Sequence, residues 1–193
     1  TTSKSPRSTV GTITEIYDFL RLLFARGADA YSYNTNEKMV SYTDAQIKDL
    51  IIDSFNGKRI SILSPVIRSR KGHYRDLFEQ IAKQGFVKVR TDGVIVDITK
   101  GMMLDRYKMH DIEIVIDRLK IDATSQSTSR LIESINTAMY HGENVLMVMD
   151  EDTKDVRYFS RDLMFPSSGI SYPNPEPNNF SFNSPKGACQ ECN

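Results

Sequence analysis

Cysteine is scarce in this chain: Cys189 and Cys192 are the only two among 193 residues. Two cysteines sharing one C-x-x-C cannot build a disulfide framework, which points to a reducing, cytoplasmic setting. Their spacing suits half of a zinc knuckle, but a tetrahedral structural zinc needs four ligands, so two more must come from elsewhere. An excess of one charge is also lacking, since 25 Lys and Arg balance 25 Asp and Glu. No global field therefore draws the chain to nucleic acid or a membrane, and any such contact has to be a local patch. No apolar run approaches the roughly 20 residues that span a bilayer, so no membrane partner is expected. Signatures of catalysis are missing too. There is no G-x-x-x-x-G-K-[ST] loop (Asn56-Gly57-Lys58-Arg59 lacks its first glycine), no G-x-S-x-G and no H-E-x-x-H. His73, His110 and His141 lie far apart in sequence, and Asp150-Glu151-Asp152 reads as a hairpin turn, where Asp suits the backbone geometry. No constellation here makes an active site.

What is present is a chain that can bury a core, with 39% apolar residues gathered in short runs. Thr12 and Glu15 form a capping-box pattern ahead of Ile16, Tyr17, Leu20, Leu23 and Phe24 at helical spacing, with Gly27 suited to ending the helix. That helix is apolar nearly all round and expects burial against something larger than its own arm. Thr43 and Gln46 cap a second helix, ended by Asn56-Gly57. Residues 59–67 read as a strand stopped or edged by Pro65, followed by a basic loop over 68–73 and a helix over 74–84. Asp92-Gly93 between two β-rich runs is a strong hairpin signal. A long strand over 111–120, a helix over 128–141 and a second hairpin around Glu151-Asp152 complete the pattern. Residues 59–160 thus give β-α-β-β twice, which predicts an α+β fold: a mostly antiparallel sheet with helices packed on it. Five of the seven prolines fall in 161–193, read as an irregular arm.

Lys88 and Arg90 share one side of their strand, because strand side chains alternate. Arg118 stands on the neighbouring long strand, and Arg68, Arg70 and Lys71 share the basic stretch before the 74–84 helix. Such residues are either a solvated sheet face or an interface that meets carboxylates or phosphates, and composition does not choose.

The stretches "PRSTVGTITEIYDFLRLLFAR" (6–26) and "NNFSFNSPKGACQEC" (178–192) resemble the UvrA family, the ATPase subunits that find DNA lesions in bacterial nucleotide excision repair. "LSPVIRSRKGHYRDLFEQIAKQGFVKVRTDG" (63–93) and "HDIEIVIDRL" (110–119) are similar to the same family in the same order, so the resemblance covers essentially the whole chain. It implies a segment inserted in the first of two ATP-binding cassettes, between Walker A and the signature motif. Residues 1–29 would be an arm leaving the cassette, 30–160 a domain that docks UvrB, and 161–193 a return arm. ATP and zinc would then be cofactors of the full-length family and not of this fragment, which should not catalyse anything. DNA would be met through the full-length protein, a homodimer, the fragment itself being a monomer. Most members read C-P-x-C-G in the return arm; here the stretch is Phe165-Pro166-Ser167-Ser168-Gly169, so Cys189 and Cys192 are expected to be the remnant of a zinc site, without metal. The resemblance also implies that Lys88 and Arg118, with Arg90 beside them, contact UvrB. Lys88 stands where an arginine is usual, keeping the charge without the bidentate fork. The competing reading is a DNA-binding module built on Arg68, Arg70, Lys71 and the Ser/Thr-rich start. The beginning at Thr1 and the end one residue after Cys192 suggest a piece of a longer protein.

Overall fold

The computed structural model describes residues 10–122 and 125–188, so Cys189, Cys192 and most of the Ser/Thr-rich start lie outside the described residues. The chain divides into two compact units, residues 40–171 and residues 1–39 with 172–193.

In the larger unit, helix α3 (Asp44–Phe55) starts where the capping box places it: the Thr43 hydroxyl accepts from the Gln46 N–H and the Gln46 side chain accepts from the Thr43 N–H. It buries Ile47, Ile51 and Phe55, spaced four apart, and the chain leaves through Gly57 at φ 77°. Helices α4 (Arg75–Lys83) and α5 (Ser125–His141) bury Phe78 and Ile81, and Leu131, Ile135, Ala138 and Met139. Ile132, between the buried Leu131 and Ile135, is 44% exposed.

Strands β1 (Arg59–Lys71), β2 (Lys88–Thr91), β3 (Val94–Asp97), β4 (Met109–Lys120), β5 (Val145–Asp150) and β6 (Val156–Ser160) form one sheet in the order β3-β2-β4-β1-β5-β6. Every neighbouring pair is antiparallel, so the fold is α+β as the element order predicts. The two βαββ halves interlock: the β2–β3 hairpin of the first pairs with β4 of the second, and the β5–β6 hairpin of the second pairs with β1 of the first. Asp92 and Gly93 both hold positive φ (50° and 89°), as a type I′ turn between β2 and β3 requires.

Pro65 does not end β1. The β5 ladder stops at Leu63, and shifts of register at 65–67 and 67–70 carry β1 on beside β4 as far as Lys71. The stretch expected to be a basic loop is therefore strand up to Lys71, with Ser69 bulged at φ 46°.

The helices cover one face of the sheet. Ile60, Ile62, Leu119, Leu146, Val148 and Phe159 pack with α3 and α5, while Val89, Ile112 and Ile114 pack with α4. Each such side chain contributes about 1.5–3 kcal/mol by leaving water. Asp117 joins this face because the register slips between Ile62, opposite Asp117, and Leu63, opposite Val115. Its carboxylate accepts from Arg130 (2.6 and 2.8 Å) and Ser134 (2.8 Å), fastening α5 to β4. Burial pushes that carboxyl up, but these donors and the Arg118 N–H hold it below its ordinary value.

In the smaller unit, helix α1 (Val10–Ile13) precedes α2 (Ile16–Gly27). Helix α2 starts from Glu15, which sits left-handed at φ 61° and gives no side-chain cap, while Thr12 falls within α1 and its side chain lies outside what is described. None of the α2 residues is buried; Tyr17 and Phe24 meet Phe182 and Phe180 with ring centroids 5.2 and 6.0 Å apart. Tyr31 and Lys38 form a single antiparallel bridge in this unit.

The proline-rich arm is not wholly irregular. It holds short strands at Leu163–Met164 and Ser171–Tyr172 and a 3-10 turn at Pro177–Phe180.

Candidate docking face

Opposite the helices, Leu63, Val115, Met147 and Met149 form a thin apolar strip that is itself buried, with Ile95 and Tyr158 packed against it and no helical residue in the cluster. Alternation along the strands places a set of charged side chains around this strip. Val89 points to the helices, so Lys88 and Arg90 point to the open face, as expected. Arg118 lies opposite Ser61 on β1, which in turn lies opposite Met149 of the strip. The three predicted contact residues therefore share one face. They do not converge on one point: β2 pairs with β4 around Ile114, and Arg118 is about 13 Å further along β4 at the strand rise.

Each has a carboxylate of its own chain. Arg118 reaches Glu151 through Nε (2.9 Å) and Nη2 (2.5 Å), a two-pronged pair, with its side chain 50% exposed. Glu151 also accepts from the Ser61 hydroxyl, and the Arg118 contact holds its carboxyl below the ordinary value. Lys88 Nζ lies 2.6 Å from Asp97 Oδ1 across the hairpin. Arg90 differs from both. It turns inward to Glu113 at 3.3 Å and is only 16% exposed.

Arg68 also faces this side. Its Nη1 donates to the Gly169 carbonyl at 2.5 Å and its guanidinium lies over the Tyr158 ring. Arg68 Nη2, Arg90 Nε and Glu113 Oε2 are buried without hydrogen-bond partners among the described residues. Burial pushes Glu113 up to about 7 against the pull of Arg90 and Arg68. Of the three residues behind the DNA-binding alternative, Arg68 is thus engaged within the domain, while Arg70 and Lys71 stay exposed at the end of β1. Among the described residues no group of three His, Cys, Asp or Glu could hold a metal ion. The Phe165–Gly169 stretch closes as a turn through Phe165 N–H to Ile170 O (3.0 Å) and Gly169 N–H to Phe165 O (2.7 Å).

Two groups make stability fall with rising pH. Glu113, raised from 4.5 to about 7, favours the folded state below 4.5 and loses that contribution as pH climbs through about 7. His110, with Asp92 at 2.7 Å and the Asp105 carbonyl at 2.8 Å on its two ring nitrogens, is raised above 6.5 chiefly by Asp92. Its contribution is complete below 6.5 and is lost above. The melting temperature should therefore drop between pH 5 and 8. Glu113→Gln should flatten the part below pH 7 and leave the His110 part; an unchanged profile would remove Glu113 from the account.

The UvrA interaction domain family matches residues 43–152, which span α3 to the β5–β6 turn. The chain belongs to the UvrA interaction-domain family. Along its whole length it is 45% identical to the UvrABC system protein A of Methanothermobacter thermautotrophicus, 41% to that of Thermus thermophilus and 45% to that of Staphylococcus aureus. It spans about 20% of the length of these relatives.

Within this UvrA domain, sequence reasoning missed Glu151 and Glu113. Glu151 sits in a stretch whose local pattern speaks only of a turn, and nothing nearby in sequence marks its long reach to Arg118. Glu113 has the pattern of the polar half of an alternating strand. It is that, but on a face that closes over it.

Proposed function

We propose that the chain is the segment of a UvrA-type repair ATPase that docks UvrB, with the docking domain over about residues 30–160 between an arm at 1–29 and a return arm at 161–193. The observation that carries this reading is the sheet face away from the helices, where Arg118 and Lys88 stand partly exposed on the same side. The family's description as an interaction domain supports the same reading. In it, ATP, zinc and DNA belong to the full-length protein, a cytoplasmic homodimer, and this segment contributes recognition without catalysis.

Titration of purified UvrB into the 193-residue chain by calorimetry is the test, and saturable heat is expected. A duplex-DNA mobility shift without that heat would favour the DNA-binding alternative, for which Arg70 and Lys71 are the exposed residues.

A further inference from the structure

Next to Arg118 two more cations stand in an arrangement that costs the free domain stability. Arg59 on β1 and Lys120 on β4 lie directly opposite each other in the register, one pair beyond Ile60–Leu119 and two beyond Ser61–Arg118. Alternation puts Arg59 and Lys120 on the same face as Ser61 and Arg118. Like charges directly opposed across strands repel. Both side chains are exposed, and neither has a hydrogen-bond or ion-pair partner among the described residues. Glu151, which lines the same hollow, is already taken up by Arg118 and Ser61.

These residues line one hollow of about 260 Å³, formed by Arg59, Ile60, Arg118, Leu119, Lys120 and Glu151. Glu151 occupies the Nε and Nη2 side of the Arg118 guanidinium, which leaves Nη1 without a partner among the described residues. A guanidinium carries five N–H donors in a fixed fork, so Arg118 held in this way still has donors to offer. We propose that this hollow takes one acidic side chain of the docked protein, gripped by Arg59 and Lys120 and by the free end of Arg118, with Glu151 positioning that arginine. The proposal rests on the docking reading above and names residues that reading did not include.

A protein carboxylate fits better than a phosphate backbone. A DNA strand laid along this face would pass Glu151, Glu113 and Asp97, whereas a folded partner can place one acid in the hollow and set cations against the rest.

The test uses the whole chain with UvrB as probe. The double variant Arg59→Ala, Lys120→Ala should bind UvrB about tenfold more weakly, mainly through slower association and with a smaller salt dependence. Its melting temperature should hold or rise, because a repulsive pair has gone. The charge-keeping swap Arg59→Lys with Lys120→Arg should bind within about twofold of the unmodified chain. Unchanged UvrB affinity in the double variant overturns the proposal, and so does a fall in melting temperature that accompanies lost binding, which would make the pair structural. Lost affinity for a short DNA duplex with UvrB binding intact overturns it in favour of nucleic acid. Absence of UvrB binding by the unmodified chain strikes the docking reading itself and is thereby told apart.

Discussion

Gly142→Ala should destabilise the larger unit by about 3 kcal/mol, the upper part of the range for overfilling a packed site. A Cβ built on Gly142 would stand 2.1 Å from the Val145 carbonyl oxygen, 2.9 Å from Ser64 Oγ and 3.1 Å from the Ala138 carbonyl oxygen. Two of these atoms are backbone, and the third belongs to a fully buried serine that donates to Ala138 O at 3.0 Å. None can yield as the tip of a flexible side chain would. The backbone is also committed on both sides: Gly142 N–H donates to Ala138 O, and Val145 N–H donates to Gly142 O. The turn from α5 into β5 must therefore open, and β5 is buried along its whole length. Urea denaturation should show the loss as a lower midpoint with an unchanged slope. A midpoint within a few tenths molar of the unmodified chain would mean that the turn relaxes at little cost.

Gly142 also shows how much is legible before the chain is folded. Its place after the last apolar turn of α5 marks it as a helix terminator, but the closeness of Val145 O and Ser64 comes only with the packing of β1 on β5. The same division runs through the fold. Local chemistry announces α3 through its capping box and the β2–β3 hairpin through Asp92-Gly93, because these signals act over three or four residues. The Thr12–Glu15 pattern is equally good on paper, yet α2 starts only at Ile16 after an uncapped Glu15, so such a motif is permissive and its surroundings decide. Whether Pro65 stops a strand depends on which neighbour its missing N–H would have served; with β5 ending at Leu63 the strand runs on. Alternation correctly places Lys88 with Arg90 on one face. It cannot pair Arg59 with Lys120 or give Arg118 its Glu151, since register between strands some 50 residues apart leaves no local trace. Asp117 shows the limit most plainly: a slip of one position between β1 and β4 moves it to the helix face.

Arg118→Glu should weaken UvrB binding by about 2–5 kcal/mol, the range for breaking a desolvated, hydrogen-bonded charge pair. Glu151 already holds Nε and Nη2 of Arg118, so a partner carboxylate would meet the free Nη1 end of the guanidinium, and the substitution sets like charges against each other there. The structure adds a further consequence. Glu151, only 12% exposed, would lose its two-pronged partner and face a new carboxylate, so Arg118→Glu should also lower the melting temperature of the free chain. Arg118→Gln separates the two effects, since it removes the cation without adding repulsion and should lose less of both. Lys88→Glu should lose less affinity than Arg118→Glu, because an ammonium makes weaker directional contacts than a guanidinium. Arg157→Glu is the informative comparison. Arg157 points to the helix layer, where Nη1 donates to Ser54 Oγ at 2.6 Å and the guanidinium lies over the Phe159 ring. That change should lower the melting temperature and leave UvrB affinity as it was. Should Arg118→Glu bind UvrB like the unmodified chain while Arg157→Glu does not, docking belongs to the helical layer, and Arg118, Arg59 and Lys120 return to being a solvated rim.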